Sequence, residues 1–317
     1  MTKGCSRIRF FARALTAYAL FCAPGFLHAQ SPAPAGPKAP DPIAELRVQN
    51  VRTGLNVIAG AGGNVVVWSG VDGLVLVDTG VATSSVALVD AVTRISAAPV
   101  RFVINTNSHA DHTGGNEAFA RKGAVVIGRE SLREQGGRDP AAPGDIGDAL
   151  LALPVITTND TMALHLNGDR LDIVHVADAH TSADIVVRWN DADVVDLGDI
   201  YWSGQYPDIN VESGGSLAGT VAAIEAVLAR SNARTVVIPG HGPVSNRAEL
   251  AAYRDMLVAV GRKVREAVEQ GVGVEDVLEA KPTADFDARF GHPGALVTPD
   301  EFVRSVYRDL APKRPGR

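Results

Sequence analysis

Short apolar runs separated by glycine-rich polar breaks set the pattern of this chain. Residues 55–58, apart from Asn56, and residues 65–68 and 74–77 are apolar or β-branched, and the breaks fall at residues 60–64 and at Asp72-Gly73. Such breaks supply the left-handed conformations of tight hairpins, so three strands joined by short turns are expected. Residues 83–98 predict a helix, with Val86, Val89, Ala91 and Val92 facing inward and Pro99 ending it. A strand over 101–105, a polar loop over 107–115, a short helix capped by Asn116 and a strand over 124–127 follow. Residues 136–149, rich in Gly, Pro and Asp and carrying Arg138, predict a surface loop beside a functional site.

A second series repeats the theme. Strands are expected over 164–166, 170–176, 185–189 and 194–197, then a helix over 217–229 and a strand over 235–238. A long helix over 249–270 carries Ala252, Met256, Val260 and Val264 on one stripe, and a helix over 299–310 closes the chain. Strands alternating with helices in two successive halves make a layered α/β fold. No linker-like composition interrupts residues 43–317, so they read as one domain. At 317 residues and 46% hydrophobic content, there is ample material for its core.

Residues 1–29 read as a secretory signal peptide: a basic start, an apolar run from Ala14 to Leu27, and Ala29 at the cut. Residues 30–42 are a proline-rich tether. The mature protein is then periplasmic or secreted, with no stable membrane insertion. Cleavage removes four positive charges, Lys3, Arg7, Arg9 and Arg13, and no negative one, moving the formal net charge from -6 to -10. That balance argues against a nucleic-acid surface. Both cysteines, Cys5 and Cys22, leave with the signal, so the mature chain has no thiolate for a metal and no cysteine nucleophile. No feature points to a protein partner.

The strongest chemical signal is residues 107–115, Asn-Ser-His-Ala-Asp-His-Thr-Gly-Gly, directly after a predicted strand. His109, Asp111 and His112 lie on one short segment, where their side chains can converge on a cation. Other ligands must come from elsewhere. His180, Asp199 and His241 each follow an apolar strand, and strand ends of a layered fold open on a common edge. Gly240 and Gly242 flank His241, allowing close backbone approach.

On these motifs the chain resembles the metallo-β-lactamase superfamily, over residues 45 to 310. The resemblance implies a four-layer αβ/βα sandwich with a zinc site at one edge. It also implies that Asn107, His109 and His180 surround a first zinc, that Asp111, His112 and His241 hold a second, and that Asp199 bridges them. Asp78 matches an early aspartate that orients a ligand without binding metal. The aspartate at 199 is like that of the glyoxalase II and lactonase type, and Asn107 stands where the family's opening histidine is usual.

An amide oxygen is a weaker, neutral zinc ligand than imidazole. Asn107 therefore either ligates weakly or stays outside the coordination sphere, and the second site is expected to be the tighter one. One or two zinc ions are expected to activate water for hydrolysis of a small molecule, with Asp111 orienting that water and relaying its proton. Tyr201 and Trp202, just after Asp199, are candidates for an apolar substrate wall. Ser213-Gly214-Gly215-Ser216 either caps the following helix or offers backbone amides to a substrate carboxylate. The family's frequent carboxylate-binding lysine after Asp199 is missing, leaving Arg138 or that helix start for the task. A cyclic amide of the β-lactam kind is the leading substrate expectation, because export places the enzyme where such compounds act. A lactone or thioester is the alternative within the same superfamily. A non-catalytic metal-binding or accessory protein is the alternative from another class.

Overall fold

The computed structural model describes residues 46–136 and 150–312. The signal peptide and tether, and Arg138 with its surrounding loop, lie outside these residues. Among the described residues the first sheet holds β1 (Arg47–Arg52), β2 (Leu55–Ala61), β3 (Gly63–Gly70), β4 (Gly73–Val77), β5 (Val100–Ile104), β6 (Val125–Arg129) and β7 (Ile156–Thr158), in that spatial order. Neighbours are antiparallel from β1 to β4 and parallel from β4 to β7. The second sheet holds β8 (Thr161–Leu166), β9 (Asp169–His175), β10 (Ile185–Trp189), β11 (Val194–Asp196), β12 (Val236–Ile238) and β13 (Ser245–Asn246), again in sequence order across the sheet. Only β11 and β12 are parallel there.

Three apolar zones hold these layers together. Val57, Val66, Val75 and Ile104 of the first sheet meet Leu171, Ile173, Val187 and Ile238 of the second. The opposite face of the first sheet, with Ile58, Val67, Leu76 and Val103, is covered by α1 (Ser85–Ile95) and by Phe119 of α3 (Asn116–Ala120), which follows the short α2 (Ala110–Thr113). A further helix, α4 (Glu130–Gly136), follows β6. On the second sheet's outer face, Val186, Val195 and Val237 pack under α5 (Leu217–Ala229), α6 (Arg247–Glu269) and, beyond α7 (Val274–Glu279) and α8 (Asp287–Phe290), α9 (Pro299–Leu310). The result is a helix, sheet, sheet, helix sandwich. Central strands buried on both faces carry unbroken apolar runs, which is why residues 65–68 and 74–77 show no alternation.

Several sequence expectations shift. Val86 is 79% exposed, while Leu88, Ala91 and Val92 face the sheet, because a 3₁₀ turn at Ala82–Ser84 delays the helix and sets its phase. Gly115, not Asn116, precedes α3, and the Asn116 side chain instead donates to Asn105 Oδ1 (2.8 Å) and the Ala152 carbonyl (2.9 Å). The segment 107–115 contains the helical turn α2 rather than being irregular throughout. Edge strand β1 gave no apolar signal because most of its side chains are exposed.

Candidate metal centre

The site grows from strand ends. β4 runs into Asp78, whose φ of 62° places a carboxylate-bearing residue in the left-handed region, which Asp tolerates better than most residues. Asp78 Oδ1 accepts the Thr106 N–H at 2.8 Å, and Oδ2 accepts the Thr106 hydroxyl at 2.6 Å. The same Oδ2 lies 2.6 Å from Nδ1 of His112. A neutral imidazole with its proton on Nδ1 turns Nε2 toward the site, so this contact selects the tautomer a metal requires. Asn105 adds a bond to the His112 carbonyl at 3.1 Å. His109 precedes α2, whose turn brings Asp111 and His112 to the same side.

The second sheet supplies the rest. His180 leaves the β9–β10 connection with Nδ1 held by the Asp208 carbonyl at 2.8 Å, which leaves its Nε2 free to face inward. A one-turn 3₁₀ helix, Gly198–Ile200, follows β11 and buries Asp199. After β12, Gly240 passes so close that a Cβ on it would stand 2.2 Å from Asp199 Oδ1. Here glycine is obligatory for packing. Asn64 ties this loop to β3, donating from its side chain to the Pro239 and Gly242 carbonyls at 2.8 and 2.9 Å.

These elements gather two groups of potential ligands, His109 with His180 and Asp199, and Asp111 with His112 and His241. Within each group the ligand atoms all lie within 4.8 Å of one another. Asp199 sits between them: Oδ2 is 3.0 Å from His112 Nε2 and 3.4 Å from His180 Nε2, and Oδ1 is 3.3 Å from His241 Nε2. His241 Nε2 is also 3.2 Å from Asp111 Oδ2. The separations are those of ion pairs, yet His112 Nε2, His241 Nε2 and Asp199 Oδ1 are buried with no hydrogen bond of acceptable geometry. Buried polar atoms without partners are rare and ask for an explanation. Converging imidazole nitrogens and carboxylate oxygens are a donor set that suits a divalent cation of the zinc type.

The electrostatics agree. Burial alone would lower the His112 pKa, but the Asp199 and Asp78 carboxylates carry it well above the usual value. Burial likewise opposes the charge on His241, and Asp111 and Asp199 outweigh it, raising that imidazole to about 9. Burial would raise Asp199, and His112, His241 and His180 hold it well below the carboxylate range instead. Asp111 is also lowered, by His241 and His112 acting against its partial burial. His109 is lowered by burial and by His180. The site therefore concentrates negative charge that, without a metal, only protons balance.

Asn107 occupies the edge of this arrangement with both ends of its amide engaged. Its Oδ1 accepts the His109 N–H at 2.8 Å, and its Nδ2 donates to Asp199 Oδ2 at 3.1 Å. Reversing the amide would set N–H against N–H and oxygen against oxygen, so the oxygen points away from the metal positions. Sequence reasoning missed Asn210, whose Nδ2 faces His109 Nε2 at 3.2 Å and whose backbone N–H donates to the His180 carbonyl at 3.0 Å. It also missed Asn64, Thr106 and Asp208, none of which belongs to a recognisable motif.

The expected substrate wall needs correction. Tyr201 is 1% exposed and packs edge-on against Tyr253 in the helix-side core, with its hydroxyl 2.8 Å from Ser245 Oγ. It cannot touch a substrate. Trp202 is 7% exposed and lies behind His241, ring centroids 4.4 Å apart. The segment 213–216 has no free amide to offer: its N–H groups go to carbonyls of residues 210, 211 and 179, and Ser216 Oγ caps α5 by accepting from Gly219. The Leu217 N–H is likewise taken, by Asp309.

A sequence model of the metallo-beta-lactamase superfamily matches residues 59–261, more than half of the chain. The chain belongs to this superfamily. Within it, the hydroxyacylglutathione hydrolase of Anaeromyxobacter dehalogenans (strain 2CP-C) is 27% identical over 144 residues, covering 44% of this chain and 48% of that protein. The match thus spans about half of the relative's length. Among solved structures, a metallo-beta-lactamase from Pontibacter korlensis superposes with a TM-score of 0.56 at 21% identity, over 68% of this chain and 99% of that one. A stereoselective inverting sec-alkylsulfatase from Pseudomonas sp. gives 0.63 at 18% identity, over 83% of this chain and 50% of that one. At such identities the solved structures share the metallo-beta-lactamase fold, here the αβ/βα sandwich described above.

Proposed function

We propose that this superfamily member is an exported zinc hydrolase that cleaves an acyl bond, with a cyclic amide of the β-lactam kind as its leading substrate. The observation that carries the metal-dependent part is the set of buried, unpartnered atoms His112 Nε2, His241 Nε2 and Asp199 Oδ1 meeting at one point. Zinc, when bound, lowers the pKa of its water from about 15.7 to about 7 and polarises a carbonyl.

The chain's own groups divide the remaining work. His109, His180 and Asp199 would hold one cation, and Asp111, His112 and His241 the other. Asp199, 1% exposed at its side chain, is screened from substrate, whereas the Asp111 side chain is 31% exposed and ionised at neutral pH. Asp111 is thus the carboxylate that a water molecule can reach, and it would orient that water and take its proton. Asp78 fixes the His112 ring from behind. A thioester is the second reading, favoured by the similarity to the hydroxyacylglutathione hydrolase and by the buried Asp199, whose oxygens lie within 3.4 Å of histidines from both ligand groups. The test is a panel of a chromogenic cephalosporin, an acyl lactone and a glutathione thioester with zinc-loaded and metal-stripped protein. Zinc-dependent turnover of the cephalosporin supports the first reading, turnover of the thioester alone supports the second, and inactivity on all three despite bound zinc refutes both.

A further inference from the structure

A groove on the outer face of the second sheet takes no part in the metal centre. β10 pairs with β9 so that Val186 lies opposite Val174 and Arg188 opposite Asp172, and Val195 of β11 lies on the other side of Arg188. Directly paired residues share a face of the sheet, and Val186 and Val195 mark that face as the one under α5. The helix meets it through small residues. A Cβ on Gly219 would stand 2.0 Å from the Asp178 carbonyl oxygen, so glycine lets the start of α5 close on the sheet. Ala222 and Ala226 continue the same side of the helix and are too short to fill the space beside β9. What remains is a cavity of about 370 Å³ floored by the three valines and open past the two exposed alanines. That volume lies within the range of about 300–1,000 Å³ usual for small-molecule sites. None of its lining residues belongs to either group of metal ligands.

One end of this apolar groove is cationic. Arg188 lines it and is 9% exposed. Its strand partner Asp172 is engaged elsewhere, accepting from Arg170 Nε at 2.8 Å and from Arg230 Nη2 at 3.3 Å. Arg188 donates only through Nη2, to the Arg230 carbonyl at 2.8 Å and to Asp193 Oδ1 at 3.3 Å. That Asp193 oxygen also accepts the Thr235 hydroxyl at 2.8 Å. Among the described residues, Nε and Nη1 of Arg188 have no hydrogen-bond partner. Burial and the adjacent Arg230 charge lower the Arg188 pKa, the mark of a cation with too little negative charge around it. Arg230, half-exposed, stands at the same end. A buried guanidinium with donors to spare is matched by a carboxylate, and the valine floor by a hydrocarbon chain attached to it.

We propose that the groove is a binding site for a medium-chain fatty carboxylate, its chain along Val174, Val186 and Ala226 and its carboxylate on Arg188 and Arg230. The site is independent of the hydrolase reading: this ligand is not the substrate, and its binding needs no metal.

The experiment titrates zinc-loaded and metal-stripped protein with decanoate, kept below its micelle concentration, and follows calorimetry and thermal unfolding. One equivalent binds with the same affinity to both forms and raises the melting temperature. Acetate, which lacks the chain, has neither effect. Decanol, which lacks the charge, binds about tenfold more weakly, the loss expected for a charge-assisted hydrogen bond. Ala222→Leu combined with Ala226→Leu fills the groove from exposed helical positions and lowers decanoate affinity by about tenfold or more, with an unchanged circular dichroism spectrum. Arg188→Met abolishes the preference for decanoate over decanol. If that variant fails to fold, Arg230→Ala, at an exposed position, reduces the same preference about threefold. Absence of decanoate binding, binding lost on metal stripping, binding unchanged by the paired leucines, or a preference that survives loss of the arginine charge overturns the proposal.

Discussion

Zinc should fill the two ligand groups in sequence, the Asp111–His112–His241 group first. In the first group, His109 Nδ1 lies 3.1 Å from His180 Nε2, and Asn210 Nδ2 contacts His109 Nε2 at 3.2 Å. These nitrogens satisfy one another, and Asn107 uses its amide on Asp199 and the backbone instead of offering its oxygen. A cation entering there must break both contacts to the His109 ring. Each hydrogen bond is worth about 1 kcal/mol net, so the penalty is about 2 kcal/mol. That corresponds to a separation of about 30-fold between the two dissociation constants. In the second group the Nε2 atoms of His112 and His241 have no hydrogen bond to give up. Both imidazoles are held protonated by their carboxylate neighbours, so the separation is expected above the pH at which they lose those protons, about 9 for His241, where the titration is run. Titration of metal-free protein with zinc, followed by calorimetry and native mass spectrometry, should show one tight event and a second at least ten times weaker. Asn107→His, which supplies an imidazole in place of the amide, should narrow the gap. Two equally tight events in the wild-type protein would refute the reasoning.

Three other outcomes are expected. Asp111→Asn should lower turnover by about 10²–10⁴-fold, the range for loss of a positioned acid or base, with an unchanged circular dichroism spectrum; wild-type turnover in the folded, metal-loaded variant removes Asp111 from its role. Because Asp111 and Asp199 raise the metal-free His241 to about 9, its protonated form stabilises the metal-free fold fully below the unfolded value of about 6.5 and loses that contribution as pH rises through about 9. Zinc binding at pH 7 should therefore release protons, visible as a dependence of calorimetric heat on buffer ionisation enthalpy; no such dependence argues against protonated imidazoles in the metal-free site. Asn64→Ala removes two hydrogen bonds to the His241 loop and should cost about 2 kcal/mol in denaturant unfolding, with weaker zinc retention; an unchanged unfolding midpoint would show that the loop holds itself.

What the sequence revealed, and what it concealed, follows from how far each interaction reaches. Strand ends and ligand segments could be read locally: residues 185–189, 217–229 and 299–310 match their elements because apolar runs there are bounded by strong breakers and caps. Thr298 and Glu301 even form a capping box. Clustering of His109, Asp111 and His112 was equally local. By contrast, β1 carries no apolar face to detect, and its pairing with β2 emerges only once the sheet exists. Asn64, Asn210 and Asp208 act on residues more than 25 positions away, so no spacing rule could have found them. Tyr201 illustrates the opposite error, where nearness in sequence to Asp199 suggested access to substrate although the side chain turns into the core.

Each ligand group draws on both halves of the sandwich. His109 comes from the end of β5 and is joined by His180 and Asp199 from beyond β9 and β11, while Asp111 and His112 are completed by His241 from beyond β12. Neither half alone completes either ligand group, so full coordination requires that the sheets have docked. A bound cation then acts as a rivet at that end of the molecule, and stripping it should loosen the seam between the sheets long before it disturbs either sheet.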